Sequence, residues 1–264
     1  MPLNPADVQA YTTEVEDALK ARIAQHTDRF PDNAKLRRNL EVARAGASKI
    51  GLRAFDEIHN EVLVALSLLE SEGCEIQALR YEPALLDTAK TIDFRAEFKD
   101  SRVAYIDVKS IIPKAIDKWD QFEQAQRENW MPPTAGILLD KELLGGELWH
   151  YGAAARSRML EHTVELEAKI EYALRSDPSA LFCLALCSMA FHWSRDELED
   201  FAGFYRRGQH RSDDPYATME ARYIQEQGII LSRKVDSFAY LERKQFEIEA
   251  SEMIWRVAPP PLPF

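Results

Sequence analysis

The sequence has little of what marks a secreted or membrane protein. Three cysteines in 264 residues are too few for a disulfide framework. No apolar run reaches the ~18 residues that a membrane span needs. The N-terminal segment MPLNPADVQA lacks the basic and apolar regions of a secretory signal. We therefore expect a soluble, cytoplasmic protein with no membrane partner.

Several common catalytic motifs are also missing. The sequence contains no GxxxxGK[ST], no GxGxxG after a predicted strand and no GxSxG, so nucleotide-binding and serine-hydrolase functions lack support. Acidic residues outnumber basic ones by 44 to 33, and the formal net charge is -11. This balance argues against indiscriminate binding to nucleic acids or anionic membranes, but it leaves room for a local basic groove.

Two periodicities divide the chain. Helical spacing of apolar residues predicts three helices before residue 73, with Gly73 as the stop of the third. Alternation then predicts strands over residues 75–81, 91–98 and 102–111, the last two joined as a hairpin by Lys99-Asp100-Ser101. Helices are predicted over residues 114–129 and 153–175, and short strands over 135–139 and 147–151.

The C-terminal part is predicted to be mostly helical. Residues 179–193 are apolar at nearly every position, which indicates a buried helix too short to span a bilayer, and residues 229–256 are ambiguous. The expected fold is α/β, with a small mixed central sheet flanked by helices. Residues 1–51 are a helical extension, residues 52–151 the core, and residues 152–264 a helical region packed on the core.

Polar residues on the predicted hairpin carry the chemistry. Asp93 and Asp107 lie on its two strands, and Lys109 shares a strand face with Asp107 because one residue separates them. Two carboxylates and an ammonium group on one surface suit Mg²⁺, which takes one or two carboxylates together with water and phosphate oxygens. Glu61, at the margin of the preceding helix's buried stripe, could reach the metal, and Glu57 one turn earlier is the alternative.

This order of elements resembles the PD-(D/E)xK nuclease superfamily, which has the restriction-endonuclease-like fold. The matching residues are Glu61, Asp93, Asp107 and Lys109, within residues 52–151. Ile92 replaces the family's proline, and Asp107 stands where glutamate is commoner. The resemblance implies an αβββαβ core.

The resemblance also implies a mechanism. Asp93, Asp107 and the carbonyl of Val108 would bind Mg²⁺, with Mn²⁺ able to substitute. Lys109 would position the water that hydrolyses a DNA phosphodiester bond, and Glu61 would contact the metal or the water. Gln124 or Gln126, on the helix after the hairpin, could also touch the site.

Other interpretations stay open. The chain could be a catalytically silent nuclease-fold protein that acts as an interaction or nucleic-acid-binding subunit, or an all-helical regulator. DNA contacts could come from a protein partner or from a basic groove, and the oligomeric state is open, a homodimer included. The candidate groove residues are Lys35, Arg37, Arg38, Lys49 and Arg53.

The remaining chemical side chains have simpler interpretations. Cys183 and Cys187 are expected to be core thiols on the apolar helix, and His59 to be structural. His162 and Glu165 are expected to form a solvated pair. The basic run at residues 206–211 either lies in a surface loop or binds phosphate.

Overall fold

The computed structural model describes residues 5–50, 52–71, 75–111, 151–188, 195–207, 224–226, 228–243, 248 and 254–257. Within these ranges the helices are α1 (Pro5–Ala24), α2 (Asn33–Ile50), α3 (Arg53–Glu70), α4 (Tyr151–Ser176) and α5 (Arg195–Arg207). The strands are β1 (Ile76–Tyr81), β2 (Phe94–Phe98), β3 (Val103–Ile111), β4 (Leu181–Ser188), β5 (Ser237–Glu242) and β6 (Ile254–Val257). The chain is therefore of mixed α/β class, as predicted, and the all-helical interpretation is wrong.

All six strands form one mixed sheet in the order β1-β2-β3-β4-β5-β6. The first three strands form an antiparallel meander. β4 pairs parallel with both β3 and β5, and β6 closes the far edge in antiparallel orientation. The sheet thus joins residues from both halves of the chain.

The sheet is covered on both faces by helices. Apolar side chains of α1, α2 and α3 pack with Ala104, Ile106 and Val108 of β3. On the opposite face, side chains of α4 and α5 pack with Tyr105 and Ile111 of the same strand. Since successive side chains of a strand point to opposite faces, the odd-numbered residues of β3 face α4.

The predicted helical stripes are the buried ones. In α1, Val8, Tyr11, Val15, Leu19 and Ile23 are all buried. In α3, Phe55 and Val62 are fully buried, whereas Ile58 is only partly so. Apolar residues at spacings of three and four therefore position α1 and α3 correctly.

The β2–β3 hairpin forms as predicted. Ser101 has a φ of 70°, a left-handed conformation that reverses the chain. Its N–H donates to the carbonyl of Phe98 at 2.9 Å. Asp100 Oδ1 accepts the N–H of Arg102 at 3.1 Å, which is the local turn chemistry that aspartate provides.

Residues 179–193 are the main error of the sequence analysis. The predicted helix is wrong, because Leu181–Ser188 form strand β4. This strand lies between β3 and β5 with helices on both faces, and its residues 182–187 are all buried. An apolar run without periodicity suits such a strand as well as it suits a buried helix.

The predicted helical region 152–264 is corrected accordingly, because it contributes β4, β5 and β6 to the sheet. Tyr151 begins α4 and does not end a strand over residues 147–151. The helix predicted over 114–129 and the strand predicted over 135–139 lie outside the described residues. Within the part of the chain that the structure describes, no helix is both long and apolar enough to cross a membrane.

Candidate functional site: two aspartates and two lysines beside strand β3

Strand β3 carries the predicted acid and amine on one face. Asp107 is fully buried, and the Nζ atom of Lys109 lies 3.4 Å from Asp107 Oδ2. Lys109 keeps 24% of its side chain exposed, so it connects the buried carboxylate to the surface. The alternation of the strand therefore brings these two residues together, as predicted.

Asp93 lies one residue before β2 begins at Phe94, so its predicted place within a strand is wrong. The β2–β3 register pairs Phe94 with Ile106, and continuing it by one residue sets Asp93 opposite Asp107. From there, Asp93 Oδ2 accepts the backbone N–H of Val108 at 2.6 Å. The carboxylate thus caps the point at which β3 continues beyond β2.

Asp93 and Asp107 repel each other in this position. Burial, reinforced by the charge of Asp107, raises the pKa of Asp93 to about 7, although Lys109 and the Val108 N–H oppose the change. Burial alone would lower the pKa of Lys109, but Asp107 and Asp93 outweigh it, and the pKa lies above its ordinary value. Lys109 is therefore protonated at neutral pH.

Glu61 of α3 is partly buried and interacts electrostatically with Asp93 and Lys109. Its Oε2 accepts a hydrogen bond from the Tyr81 hydroxyl at 2.6 Å, and Tyr81 in turn receives one from Asn39 Nδ2 at 3.1 Å. Burial, reinforced by the charge of Asp93, raises the pKa of Glu61 to about 8. The alternative, Glu57, instead pairs with Arg53 at 3.1 Å on the surface. Of the two glutamates, Glu61 is the one that interacts electrostatically with Asp93.

Lys169 of α4 is a residue that the sequence analysis missed. Its Nζ atom lies 2.8 Å from Asp107 Oδ1 and 3.0 Å from Asp107 Oδ2. Lys169 precedes the buried Ile170 in an amphipathic helix, so it stands at the edge of an apolar stripe. From that position the sequence predicts only that the lysine is partly buried. No local pattern predicts which strand residue the lysine contacts.

The His162–Glu165 pair also belongs to the side of α4 near Lys109. The pair exists, with His162 Nδ1 3.3 Å from Glu165 Oε2, but His162 is only 8% exposed. The prediction of a solvated pair is therefore wrong for the histidine, whose pKa is lowered by burial. Its Nε2 atom is buried without a hydrogen-bond partner among the described residues.

Both cysteines of β4 and His59 have structural environments. Cys183 and Cys187 are buried and free, as expected of core thiols, but on a strand. His59 is structural, as predicted: its Nε2 atom lies 2.8 Å from the carbonyl oxygen of Ile248. Gln124, Gln126 and the side chains of the basic run at 206–211 lie outside the described residues.

Two of the five predicted groove residues are paired with acidic side chains. Lys35 pairs with Glu82 at 2.5 Å, and Arg53 pairs with Glu57. Arg37 and Arg38 lie on α2, and the side chain of Lys49 lies outside the described residues. These two contacts reduce the positive charge that Lys35 and Arg53 offer to a substrate.

The donor set suits a hard cation in its chemistry. All the acidic groups offer oxygen atoms, and burial, reinforced by the charge of Asp107, disfavours the ionised form of Asp93. Within the described residues, however, no three His, Cys, Asp or Glu side chains are grouped closely enough to form a metal site. Asp93 and Asp107 are two carboxylates, the number that Mg²⁺ typically takes from a protein, with backbone, water or phosphate oxygens as its other ligands.

Comparisons of the chain with protein-family models, with curated proteins and with solved structures find no match.

Proposed function

We propose that this protein is a metal-dependent nuclease that hydrolyses DNA phosphodiester bonds. The observation that carries the proposal is the convergence of Asp93, Asp107 and Lys109 where β3 continues beyond β2. The order of elements, with α3 before the meander and α4 before a β4 parallel to β3, supports an αβββαβ core of the restriction-endonuclease type.

Asp93, Asp107 and the backbone carbonyl of Val108 are the proposed ligands of Mg²⁺, and Glu61 is a further contact to the ion or its water. The N–H of Val108 points to Asp93, and the N–H and C=O groups of a strand residue point to the same side. We therefore expect the Val108 carbonyl to face this site as well. When bound, the ion supplies a water of lowered pKa and stabilises charge on the phosphate oxygens.

Lys109 has the proposed role of orienting the attacking water. Asp107 and Asp93 favour its charged form, so it acts as a hydrogen-bond donor and not as a base. A fixed ammonium group beside the scissile phosphate also stabilises the negative charge that develops there. The partial exposure of Lys109 leaves it accessible to a substrate.

The net charge of -11 opposes the approach of DNA. Lys35 and Arg53 of the predicted basic groove are already paired with acids, which reduces the positive charge that they offer to DNA. We therefore infer that a protein partner supplies part of the DNA contacts.

A cleavage assay tests the function. The purified chain should cut DNA with Mg²⁺ or Mn²⁺, and Asp107→Asn and Lys109→Ala should each reduce the rate by at least ~100-fold. Asp100→Asn and Lys99→Ala are matched controls, because both residues lie in the turn of the same hairpin and are exposed. Undiminished cutting by both site variants would place the activity elsewhere.

A catalytically silent subunit is the second candidate function. It is favoured by the contacts of Lys169 with both Asp107 oxygens. The carboxylate that would bind a metal ion is thus already paired with a lysine. Calorimetry with Mn²⁺ separates the two functions, because a silent subunit has no metal affinity to lose when Asp93 is changed to alanine.

A further inference from the structure

The ammonium group of Lys169 contacts Asp107 in the position that a metal ion would take. Its ammonium nitrogen lies within hydrogen-bond distance of both carboxylate oxygens, at 2.8 Å and 3.0 Å. Lys109 Nζ lies 3.4 Å from Asp107 Oδ2, and Lys109 also interacts with Asp93 and Glu165. Of the two lysines, Lys169 is the closer partner of Asp107.

This pairing has a physical reason. Asp107 is fully buried, and a buried carboxylate without a cation costs several kcal/mol. Without a metal ion, the folded chain therefore needs a positive charge at this place, and Lys169 provides it. A divalent ion that binds the same two oxygens requires the ammonium group to leave, since both occupy the same space.

We propose that Lys169 is a built-in competitor of the metal ion: its ammonium group holds Asp107 in the metal-free protein and leaves this carboxylate when a divalent cation binds. The proposal rests on the proposed function, because it takes Asp107 as a metal ligand. It makes Lys169 a residue that sets the metal affinity of the site. The long lysine side chain allows the exchange without movement of α4.

The test is Mn²⁺ binding to the purified full chain, measured by calorimetry. Lys169→Gln keeps a hydrogen-bond donor but removes the competing charge, so it should bind Mn²⁺ roughly tenfold more tightly than the wild type. Arg175→Gln is the matched control, since it removes one positive charge from the same helix at a residue paired with Glu171 and Asp87. Its Kd should stay within about twofold of the wild type.

Two further measurements keep the test decisive if Lys169→Gln folds poorly. Without metal, Lys169→Gln should have a lower Tm than the wild type, and Mn²⁺ should raise its Tm by more. Lys169→Arg retains the charge and can pair with both carboxylate oxygens, so its Mn²⁺ affinity should not exceed that of the wild type.

The outcomes separate this proposal from the proposed function. If the wild type binds Mn²⁺ through Asp93 but Lys169→Gln binds it no more tightly, Lys169 is not a competitor, and the nuclease proposal stands. Tighter binding by Lys169→Arg would equally overturn competition. If neither the wild type nor any Lys169 variant binds Mn²⁺, the metal-dependent function fails, and this proposal fails with it.

Discussion

Asp107 shows how one residue depends on its neighbours. A fully buried carboxylate is tolerated here because Lys169 and Lys109 both lie beside it. Asp93 is repelled by Asp107, and among the described residues its one hydrogen-bond donor is the N–H of Val108. The site therefore holds one well-paired and one poorly paired carboxylate.

The poorly paired carboxylate should make stability depend on pH. Burial and Asp107 raise the pKa of Asp93 to about 7, above the ~3.9 of an unfolded aspartate. Asp93 therefore contributes its full share to the free energy of unfolding below about pH 4. This contribution is lost as the pH rises through about 7. In a metal chelator, the wild type should lose stability on the order of a few kcal/mol between pH 5 and pH 8, measured by urea unfolding.

Asp93→Asn provides the comparison, because asparagine resembles the protonated acid. The variant should lose less stability over the same pH interval than the wild type. If the two pH profiles run parallel, Asp93 does not titrate in this range, and the electrostatic description of the site is wrong.

At the scale of elements, β4 decides the architecture of the sheet. It pairs parallel with β3 along its whole length, from Ala104–Leu181 to Ile111–Ser188. Its side chains enter both apolar clusters: Cys183 and Ala185 face α1–α3, whereas Leu184 faces α4 and α5. A strand at this position must therefore be apolar on both faces, which explains the run without periodicity.

The thiols of β4 should be unreactive in the native protein. Cys183 and Cys187 are fully buried, and burial raises the pKa of Cys183 to about 12. A thiol that is neither ionised nor accessible does not react with alkylating reagents. Peptide mapping should find both cysteines unmodified by iodoacetamide in buffer and modified in guanidinium chloride, and native labelling of either would contradict a central strand.

Shortening a side chain of β4 should be costly. Leu184 is fully buried between the sheet and helices α4 and α5. Leu184→Ala should therefore destabilise the protein by about 2–5 kcal/mol. Leu86 is 51% exposed, and Leu86→Ala should change stability by less than about 0.5 kcal/mol. Urea unfolding measures both variants, and equal effects would mean that Leu184 is not in the core.

At the scale of the whole molecule, a buried polar network joins distant parts of the chain. Arg243, just after β5, donates to Asp56 Oδ1 of α3 at 2.6 Å and to the Tyr11 hydroxyl of α1 at 2.7 Å. Asn60 of α3 donates to Ser110 Oγ at 2.8 Å, next to Lys109. The network therefore ties the helices of one face to the sheet beside the site.

Removing one partner of the buried ion pair in this network should destabilise the protein strongly. Asp56→Asn leaves the guanidinium group of Arg243, whose side chain is fully buried, without its carboxylate, so we expect a loss of about 3–5 kcal/mol. Arg243→Met leaves the acid unpaired and should cost a similar amount. The double variant should be more stable than the sum of the single losses predicts.

A double-mutant cycle by urea unfolding measures this coupling. Strict additivity of the two changes would show that Asp56 and Arg243 do not interact in solution.

Local patterns in the sequence were sufficient to predict α1, α3, the β2–β3 hairpin and the shared face of Asp107 and Lys109. Each depends on spacing within one element, where the periods of helix and strand act directly on burial. These features follow from neighbouring residues alone.

Only the tertiary structure decided the rest. Whether residues 181–188 form a strand depended on β3 and β5, the strands on either side of β4, since an apolar run fits both conformations. Lys169 contacts Asp107, from which it is separated by 62 positions in the sequence, because α4 packs on the sheet. Contacts of this kind depend on how separate elements pack. They cannot be predicted from the spacing of residues within one element.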